Sequence, residues 1–436
     1  MKEIFSALER YSWQKLNKEI VAPLFKKQFQ YVIKNSPFYQ KKIGKHLINK
    51  KIELSDLVSL PFTEKQELLN DEKTNPPFGS YLATPLSRVA RVHRTSGSSG
   101  QVLFLALSKN DIENTLECGA RCFWSAGLRP HDIVIHCLNY CMWAGGITDH
   151  QSLERTGAGV IPFGVGNTSD LIRTILNLKP SAIHCTPSYL SKLELLLSEE
   201  FKLQPHQLGL KLGLFGGEGG LQDKEFRRNI ERKWRFKAMD ANYGVSEVLS
   251  MFGAECKVRE GLHFMGQGVI YPEIKNLKND EILPWEKGVK GELVITNLSK
   301  ECQPLLRYRT HDIVEIVSIE KCRCGRLSPR FIITGRLEDV MVIKGINVFL
   351  SSIAEVINQK LDILTGEFQV LVNRKEPIER IVIKVEVKKD KLCPLLSNEL
   401  QDCFKKTIFI KPEIEIVPEG SISSTGNKIQ RIERIL

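Results

Sequence analysis

Short apolar runs separated by amphipathic helical segments are the feature that most restricts the fold of this chain between residues 88 and 300. The runs include IVIHCL at 133–138, AIHC at 182–185 and KLGLFGG at 211–217. The segment SYLSKLELLLSEEF, between the second and third runs, has the apolar spacing of a helix that covers a sheet. This alternation predicts an α/β domain with a mainly parallel sheet. Ligand sites in such sheets lie at the carboxyl ends of the strands, where glycine-rich turns occur in this sequence.

The pattern changes towards the end of the chain. GELVITNL at 291–298 and DIVEIVSI at 312–319 have the composition of strands in a more antiparallel section. Beyond residue 340 the sequence predicts a smaller α+β unit, with a helix at 350–361 and the alternating strand RIVIKVEVK at 380–388.

A chain of 436 residues exceeds what one hydrophobic core usually supports, so two or three domains are expected. The change of pattern predicts a large N-terminal domain at 1–336 and a small C-terminal domain at 337–436. No apolar run approaches the roughly 20 residues of a membrane span. The N-terminal stretch lacks the apolar core of a signal peptide, and the eleven cysteines are scattered. These features predict a cytoplasmic protein with reduced thiols and no membrane association.

The net charge of +11 leaves several partners open. It is compatible with nucleic acid, a membrane surface, an anionic small molecule or simply a basic surface. The chain has no long Lys/Arg block, zinc-finger spacing or RNP-like aromatic run. We therefore expect no nucleic-acid partner, and a polyanionic substrate would suit the charge.

Five polar, glycine-rich or charged stretches carry the chemical information. They are RTSGSSG (94–100), FGGEGG (215–220), NYGVSEV (242–248), RYRTHD (307–312) with GRLEDVMVIKG (335–345), and TGNKIQR (425–431). Taken singly, each has an ordinary explanation as a turn, a cap, an ion pair or a terminus. RTSGSSG could equally form a cradle of N–H groups and hydroxyls around a phosphate. It is not the common phosphate-loop pattern, because Gln101 stands where that pattern has Lys.

Taken together and in this order, the stretches resemble the motif series of the adenylate-forming superfamily, and most closely the phenylacetate-CoA ligase family. Further matches lie between them, including ERTGAGVIPFGVGNT (154–168), HCTPSYLSKL (184–193) and IKGINVFLSSIAEVI (343–357). The resemblance covers nearly the whole chain and implies a small, mobile C-terminal domain. It also implies that a carboxylate attacks the α-phosphate of ATP to give an acyl-adenylate and pyrophosphate, after which a thiol takes the acyl group.

The resemblance assigns most of the motif residues to ATP and AMP. The implied nucleotide-binding residues are Thr95, Ser96, Gly97, Ser98, Ser99, Gly100, Gly216, Gly217, Glu218, Asn242, Tyr243, Gly244, Asp312 and Arg336. In this set, Tyr243 stacks on the base and Asp312 accepts hydrogen bonds from the ribose hydroxyls. Glu247 matches the catalytic carboxylate that holds Mg²⁺, a hard cation that prefers oxygen ligands.

The small domain contributes the remaining implied residues. Lys428 matches the catalytic lysine that bridges the acid and ATP; the alternative is a solvated lysine in a frayed terminus. Glu338 and Asp339 lie where the family has its interdomain hinge, and Lys344 and Gly345 would then face CoA.

Four residues raise the possibility of a metal. One residue lies between Cys322 and Cys324, and six residues lie between Cys256 and His263. Neither spacing is a strong zinc signature. Some phenylacetate-CoA ligase relatives carry zinc at these places, which implies a closed, structural site; the alternative is four unligated residues in a reducing compartment.

The implied function is an AMP-forming acid–thiol ligase that activates an aromatic or arylacetic acid and transfers it to CoA. The acyl pocket would include Tyr140, Trp143 and Gly145, with Tyr189 nearby; these residues could also belong to the core. The alternatives are transfer to an acyl carrier protein or an amine, and a nucleotide-binding regulator that has lost catalysis. A homodimer is expected from the family alone.

Overall fold

The structure, a computed structural model, describes residues 4–95, 102–337, 340–343, 346–372, 378, 381–389, 391, 396–408, 410–422 and 431–435. It divides into two compact units. The larger consists of Met1–Gln222, Arg227–Thr310 and Val314–Ile332, and the smaller of Asp223–Phe226, His311–Ile313 and Ile333–Leu436. The sequence-based domain boundary between residues 336 and 337 stays a prediction.

The described part of the chain contains both helices and strands, numbered here in chain order. The α-helices are α1 (Trp13–Leu16), α2 (Ala22–Asn35), α3 (Pro37–Lys42), α4 (Lys45–Ile48), α5 (Lys65–Thr74), α6 (Lys109–Ala126), α7 (Ala144–Arg155), α8 (Thr168–Leu178), α9 (Tyr189–Leu196), α10 (Lys224–Trp234), α11 (Leu350–Asn358) and α12 (Leu396–Ile408). The strands are β1 (Arg91–Arg94), β2 (Phe104–Leu107), β3 (Ile133–His136), β4 (Gly159–Ile161), β5 (Ala182–Cys185), β6 (Leu212–Gly216), β7 (Lys237–Val245), β8 (Leu249–Ala254), β9 (Leu262–Phe264), β10 (Ile270–Lys275), β11 (Ile282–Leu283), β12 (Lys290–Asn297), β13 (Tyr308–Ser318), β14 (Arg330–Arg336), β15 (Val340–Ile343), β16 (Ile346–Phe349), β17 (Leu364–Val372), β18 (Ile381–Val387), β19 (Glu413–Pro418) and β20 (Ile432–Arg434).

The main sheet has, within the described residues, twelve strands in the order β11-β10-β12-β13-β14-β9-β8-β7-β6-β5-β3-β4. From β7 to β4 every neighbouring pair is parallel. These are the apolar runs noted in the sequence; all four residues of β5 are buried, as expected for a strand covered on both faces.

The other half of the sheet contains antiparallel pairs. β10 pairs with β12 in the register Ile270↔Asn297, and β8 pairs antiparallel with both β7 and β9. The two strands predicted for an antiparallel section are present as β12 and β13.

Helix α6 connects β2 to the parallel strands and has well-formed ends. Ser108 and Asp111 form a reciprocal capping box at its start, and Gly127 ends it in the left-handed conformation at φ 111°. Phe123 on this helix is fully buried beneath the sheet residues. The amphipathic spacing therefore places a helix against the sheet, as the alternation predicts.

The smaller unit contains a four-stranded sheet in the order β19-β18-β17-β20. β17 pairs antiparallel with β18 and parallel with β20, and α11 and α12 supply apolar residues to its core. The predicted helix at 350–361 is observed as α11, and the predicted strand at 380–388 as β18. The predicted fold class, an α/β arrangement with a separate small α+β unit, is confirmed. Of the described helices, none is long and apolar enough to cross a bilayer.

Candidate functional site

The glycines of FGGEGG lie at the carboxyl end of β6, beside β7. Gly216 pairs with Asn242, and a Cβ on Gly216 would lie 2.5 Å from the Asn242 Cβ. Gly217 has φ 78°, a conformation that favours glycine. The structure therefore brings two of the predicted nucleotide motifs, which are separate in the sequence, together at one edge of the sheet.

The indole ring of Trp143 lies beside Gly217 and Gly145. A Cβ on Gly217 would lie 3.4 Å from the Trp143 ring, and one on Gly145 would lie 3.0 Å from it. Trp143 also forms a bridge with Arg94, whose N–H donates to the Met142 carbonyl at 2.9 Å. The predicted acyl-pocket segment, NYCMWAGG at 139–146, thus lies between the nucleotide motifs and the end of β1.

The base of the predicted phosphate loop is fixed by β1 and β2. Thr95 is 4% exposed, and its hydroxyl oxygen accepts a hydrogen bond from the Leu103 N–H at 3.1 Å. The other predicted members of this loop, Ser96, Gly97, Ser98, Ser99 and Gly100, lie outside the described residues.

Three further predicted residues lie close to this edge. Glu218 accepts hydrogen bonds from the Ser188 hydroxyl at 2.9 Å and the Ser188 N–H at 3.3 Å. Tyr189 begins α9, and its hydroxyl group lies 3.3 Å from that of Thr168. The hydroxyl group of Tyr140, in the acyl-pocket segment, lies 2.9 Å from Nδ1 of His150. The two tyrosine hydroxyl groups thus have polar partners, while the tyrosine rings remain available for apolar contact.

Tyr243 and Gly244 are held by tight packing between β7 and β8. The Tyr243 ring lies edge-on to Phe252 and Phe331, with ring centroids at 5.1 and 5.8 Å. A Cβ on Gly244 would lie 2.0 Å from the carbonyl oxygen of Ser250, so no other residue fits there without moving the backbone. The motif is therefore rigidly placed on its strand.

Glu247, the predicted Mg²⁺ ligand, is 8% exposed and lies between two lysines. Its Oε1 is 2.9 Å from Nζ of Lys65, and its main-chain carbonyl accepts a hydrogen bond from Nζ of Lys300 at 2.5 Å. Burial lowers the pKa of Lys300. The sequence contained no signal for either lysine, because both contacts are distant along the chain.

Asp312 and Arg336 are brought together within the smaller unit. Nε of Arg336 donates to Oδ1 of Asp312 at 3.0 Å, and the Asp312 side chain is largely buried while that of Arg336 is 42% exposed. The remaining predicted residues of the small domain, namely Lys428, Glu338, Asp339, Lys344 and Gly345, lie outside the described residues.

The four predicted metal ligands converge in the larger unit. One potential ligand atom from each of Cys256, His263, Cys322 and Cys324 lies within 4.8 Å of all the others, and each residue is at most 5% exposed. Sγ of Cys256 is 3.8 Å from Sγ of Cys322, and Sγ of Cys324 is 3.5 Å from Nε2 of His263. The arrangement could hold one ion with three sulfurs and one imidazole.

The groups around these four side chains favour the forms that bind a cation. Nδ1 of His263 lies 3.2 Å from the Ser328 carbonyl oxygen, which can only accept, and 3.0 Å from the Ser328 hydroxyl. Nδ1 therefore donates, and in the neutral ring Nε2 can act as a ligand. Hydrogen bonds from Cys256 and then from His263 hold the pKa of Cys324 well below its usual value. Arg326, itself paired with Glu9 at 2.5 Å, lies 3.6 Å from the Cys324 sulfur. Its positive charge favours a thiolate.

Comparisons with known proteins identify relatives of the chain. Residues 345–434 match the family described as AMP-binding enzyme C-terminal domain. The phenylacetate-coenzyme A ligase of Escherichia coli (strain K12) is 33% identical over 92% of this chain and 91% of its own length. That of Thermus thermophilus is 30% identical over 93% of this chain and 94% of its own length.

A solved structure matches the whole chain. It is 2-hydroxyisobutyryl-CoA ligase in the postadenylation state with 2-HIB-AMP, at a TM-score of 0.89 and 26% identity, covering 100% of this chain and 93% of the other. Fold and matches together define the class as AMP-forming acid–CoA ligases, enzymes that activate an acid with ATP and form its CoA thioester. Within this class, the chain belongs to the phenylacetate-CoA ligase family.

Proposed function

We propose that this ligase activates an arylacetic or other aromatic acid at the edge of the sheet formed by β6 and β7. The observation that carries the proposal is the contact of Trp143 with Gly145 and Gly217, which places an aromatic wall beside the nucleotide motifs. A flat apolar acid would pack against that wall and present its carboxylate to the nucleotide. The identity of about one third to the phenylacetate-coenzyme A ligases supports the same acid.

The nucleotide roles follow the sequence motifs. The adenine would lie against Gly216, Gly217 and Tyr243, the ribose against Asp312 with Arg336 beside it. The phosphates would lie at the loop that begins at Thr95. Neutralising phosphate charge and aligning the acid with the α-phosphate would supply most of the rate acceleration.

Glu247 is proposed to hold Mg²⁺. The position of the Lys65 ammonium, 2.9 Å from its carboxylate, supports this assignment because it marks a place where a cation is favoured. When bound, Mg²⁺ would offset the negative charge of the phosphate oxygens. Lys428 would approach the acid and ATP, the small domain at 337–436 would turn about Glu338 and Asp339, and Lys344 and Gly345 would face CoA.

The cluster of Cys256, His263, Cys322 and Cys324 is proposed as a structural zinc site. The donor set, the burial of all four residues and the orientation of His263 by Ser328 fit Zn²⁺. Four protein ligands leave no open position, so this zinc would stabilise the fold rather than act on substrate.

A second candidate acid is a short 2-hydroxy acid. It is favoured by the structural likeness to 2-hydroxyisobutyryl-CoA ligase and by the space that the Trp143 indole occupies next to Gly217. The acceptor is proposed to be free CoA; transfer to a carrier protein or an amine, and a homodimer, remain alternatives for the same site.

An assay of pyrophosphate release with ATP and Mg²⁺ tests this proposal. Phenylacetate, 2-hydroxyisobutyrate, fatty acids and amino acids would be compared with and without CoA. The proposal expects phenylacetate or a close aryl analogue to have the highest kcat/KM and CoA to accelerate release. Preference for 2-hydroxyisobutyrate would replace the first acid by the second, and release that ignores CoA would indicate another acceptor.

A further inference from the structure

Three ionisable side chains form a chain of contacts beneath the candidate site. His136 ends β3, His184 lies on β5 and Asp149 lies on α7, and all three are 0% exposed. The two imidazole rings are nearly parallel, and Phe123 packs edge-on against His184. The sequence analysis assigned a role to none of these three side chains.

The hydrogen bonds determine which nitrogen of each ring carries a proton. Nε2 of His136 lies 3.0 Å from the carbonyl oxygen of Gly146, which can only accept, so this nitrogen donates. In a neutral ring Nδ1 of His136 is then an acceptor. It lies 2.9 Å from Nδ1 of His184, which must therefore donate.

The remaining nitrogen of His184 then faces Asp149. Nε2 of His184 lies 3.8 Å from Oδ2 of Asp149. Among the described residues, neither this nitrogen nor Oδ1 of Asp149 has a hydrogen-bond partner. Two proton arrangements satisfy this contact. Either a neutral carboxylic acid donates to a neutral ring, or a carboxylate pairs with an imidazolium.

The surroundings favour the neutral arrangement. In a fully buried site, the desolvation of a carboxylate and an imidazolium can cost more free energy than their mutual attraction supplies. Burial raises the pKa of Asp149 and lowers the pKa of His184, and burial also lowers the pKa of His136 to about 4. Cys122 on α6 faces the same site, and burial raises the pKa of its thiol. These neighbours are uncharged at neutral pH and provide no counter-ion for a carboxylate.

The row of three side chains contacts both halves of the proposed active site, one half at each of its ends. Oδ2 of Asp149 accepts a hydrogen bond from the side-chain amide of Asn242, which directly precedes Tyr243. At the other end, the Gly146 carbonyl belongs to the acyl-pocket segment. A Cβ on Gly146 would lie 2.3 Å from the carbonyl oxygen of Asn139, so this segment is closely packed.

We propose that Asp149 is a positioning residue that holds Asn242 as a neutral carboxylic acid, with His184 and His136 linking it to the acyl-pocket segment. The inference rests on the proposed nucleotide role of the Asn242–Tyr243 segment. Asp149 contacts neither substrate nor cofactor; its effect on catalysis is transmitted through Asn242.

The experiment compares Asp149→Asn with Asp149→Ala in the full-length enzyme. An asparagine keeps an oxygen for Asn242 and supplies an N–H to His184, as the neutral acid does. We expect Asp149→Asn to retain kcat/KM for ATP within about 3-fold and Asp149→Ala to lose about 10-fold or more, chiefly through KM for ATP. Asp170→Asn, an exposed acid paired with Arg173 on α8, is the matched control.

Infrared spectroscopy gives a readout that needs no substrate. The wild-type protein should show the carbonyl band of a buried protonated carboxylic acid at neutral pH, which Asp149→Asn removes and Asp170→Asn leaves unchanged. An Asp149→Asn variant as impaired as Asp149→Ala, an unimpaired Asp149→Ala, or a wild-type spectrum without the band would each overturn the inference. A wild-type enzyme that shows the band but does not use ATP would instead contradict the proposed function.

Discussion

At the scale of single residues, buried polar side chains hold the motif residues of the candidate site in place. Lys300 holds the carbonyl of Glu247, and Asp149 holds the amide of Asn242. Both residues are nearly or fully buried, and each supports the main chain or side chain of a motif residue from behind. The motif residues therefore keep their positions before any substrate binds, which reduces the ordering cost of catalysis.

The protonation state of Asp149 makes a prediction about stability and pH. Its pKa in the folded protein is raised above the ordinary value of 3.8 because it is buried. As pH rises above that value, the unfolded chain loses the proton while the folded protein keeps it. The folded wild type should therefore lose about 1.4 kcal/mol of stability per pH unit relative to Asp149→Asn, until the folded pKa is reached.

Urea unfolding of both proteins between about pH 5 and pH 8 measures this difference. Asp170→Asn, which removes an exposed acid paired with Arg173, serves as the control. A difference between wild type and Asp149→Asn that does not change with pH would mean that Asp149 is ionised in the folded protein.

Gly244 makes a second prediction at this scale. Its Cβ would lie 2.0 Å from the Ser250 carbonyl oxygen, so Gly244→Ala should separate β7 from β8 and reduce the free energy of unfolding by about 3 kcal/mol. Gly219→Ala is the control, because a Cβ there meets no atom within 4 Å. Chemical denaturation compares the two variants, and equal stability would show that the packing at Gly244 is looser than described.

At the scale of secondary-structure elements, a bound metal would cross-link parts of the chain that belong to different strands and loops. Cys256 follows β8, His263 lies on β9, and Cys322 and Cys324 lie in the connection between β13 and β14. Arg326 extends the cluster to Glu9 in the N-terminal segment. The ligands therefore cross-link three segments of the chain that lie between residues 256 and 324.

The expected result is about one zinc ion per chain by elemental analysis, as one site of four ligands requires. Cys322→Ser should lose the metal and reduce the stability by on the order of 2–4 kcal/mol, since the fold loses a cross-link. Cys141→Ser is the matched control, because Cys141 is an exposed thiol away from the cluster. Protein that contains no metal, and a Cys322→Ser variant as stable as wild type, would contradict the assignment.

For the whole molecule, the sequence predicted the parallel strands, the smaller α+β unit and the family, because each is encoded in local pattern or in motif order. AIHC became β5 and RIVIKVEVK became β18 with nearly the predicted limits. The sequence did not predict the contact of Lys65 with Glu247, or the contacts that join His136, His184 and Asp149. Those contacts depend on how distant segments pack, and an isolated lysine or histidine has no local pattern that reveals its partner.

Some of the predicted site residues differ from these contacts, because their motifs had already grouped them. Gly216 with Asn242, and the three cysteines with His263, are together in the structure, although the residues of each pair or cluster are far apart in the chain. Their spatial relation followed from the order of the motifs, which reflects the family fold. The roles of Lys428 and of the other small-domain residues remain predictions.

The most direct test of the central claim is a product analysis of the full-length enzyme with ATP, Mg²⁺, CoA and the preferred acid. Acyl-CoA, AMP and pyrophosphate should form in equal amounts, and Lys428→Ala should reduce acyl-adenylate formation by about 100-fold or more while ATP still binds. Lys411→Ala, which replaces another lysine of the smaller unit, should leave the rate unchanged. Formation of ADP and phosphate, or hydrolysis of ATP that does not depend on an acid, would contradict the account.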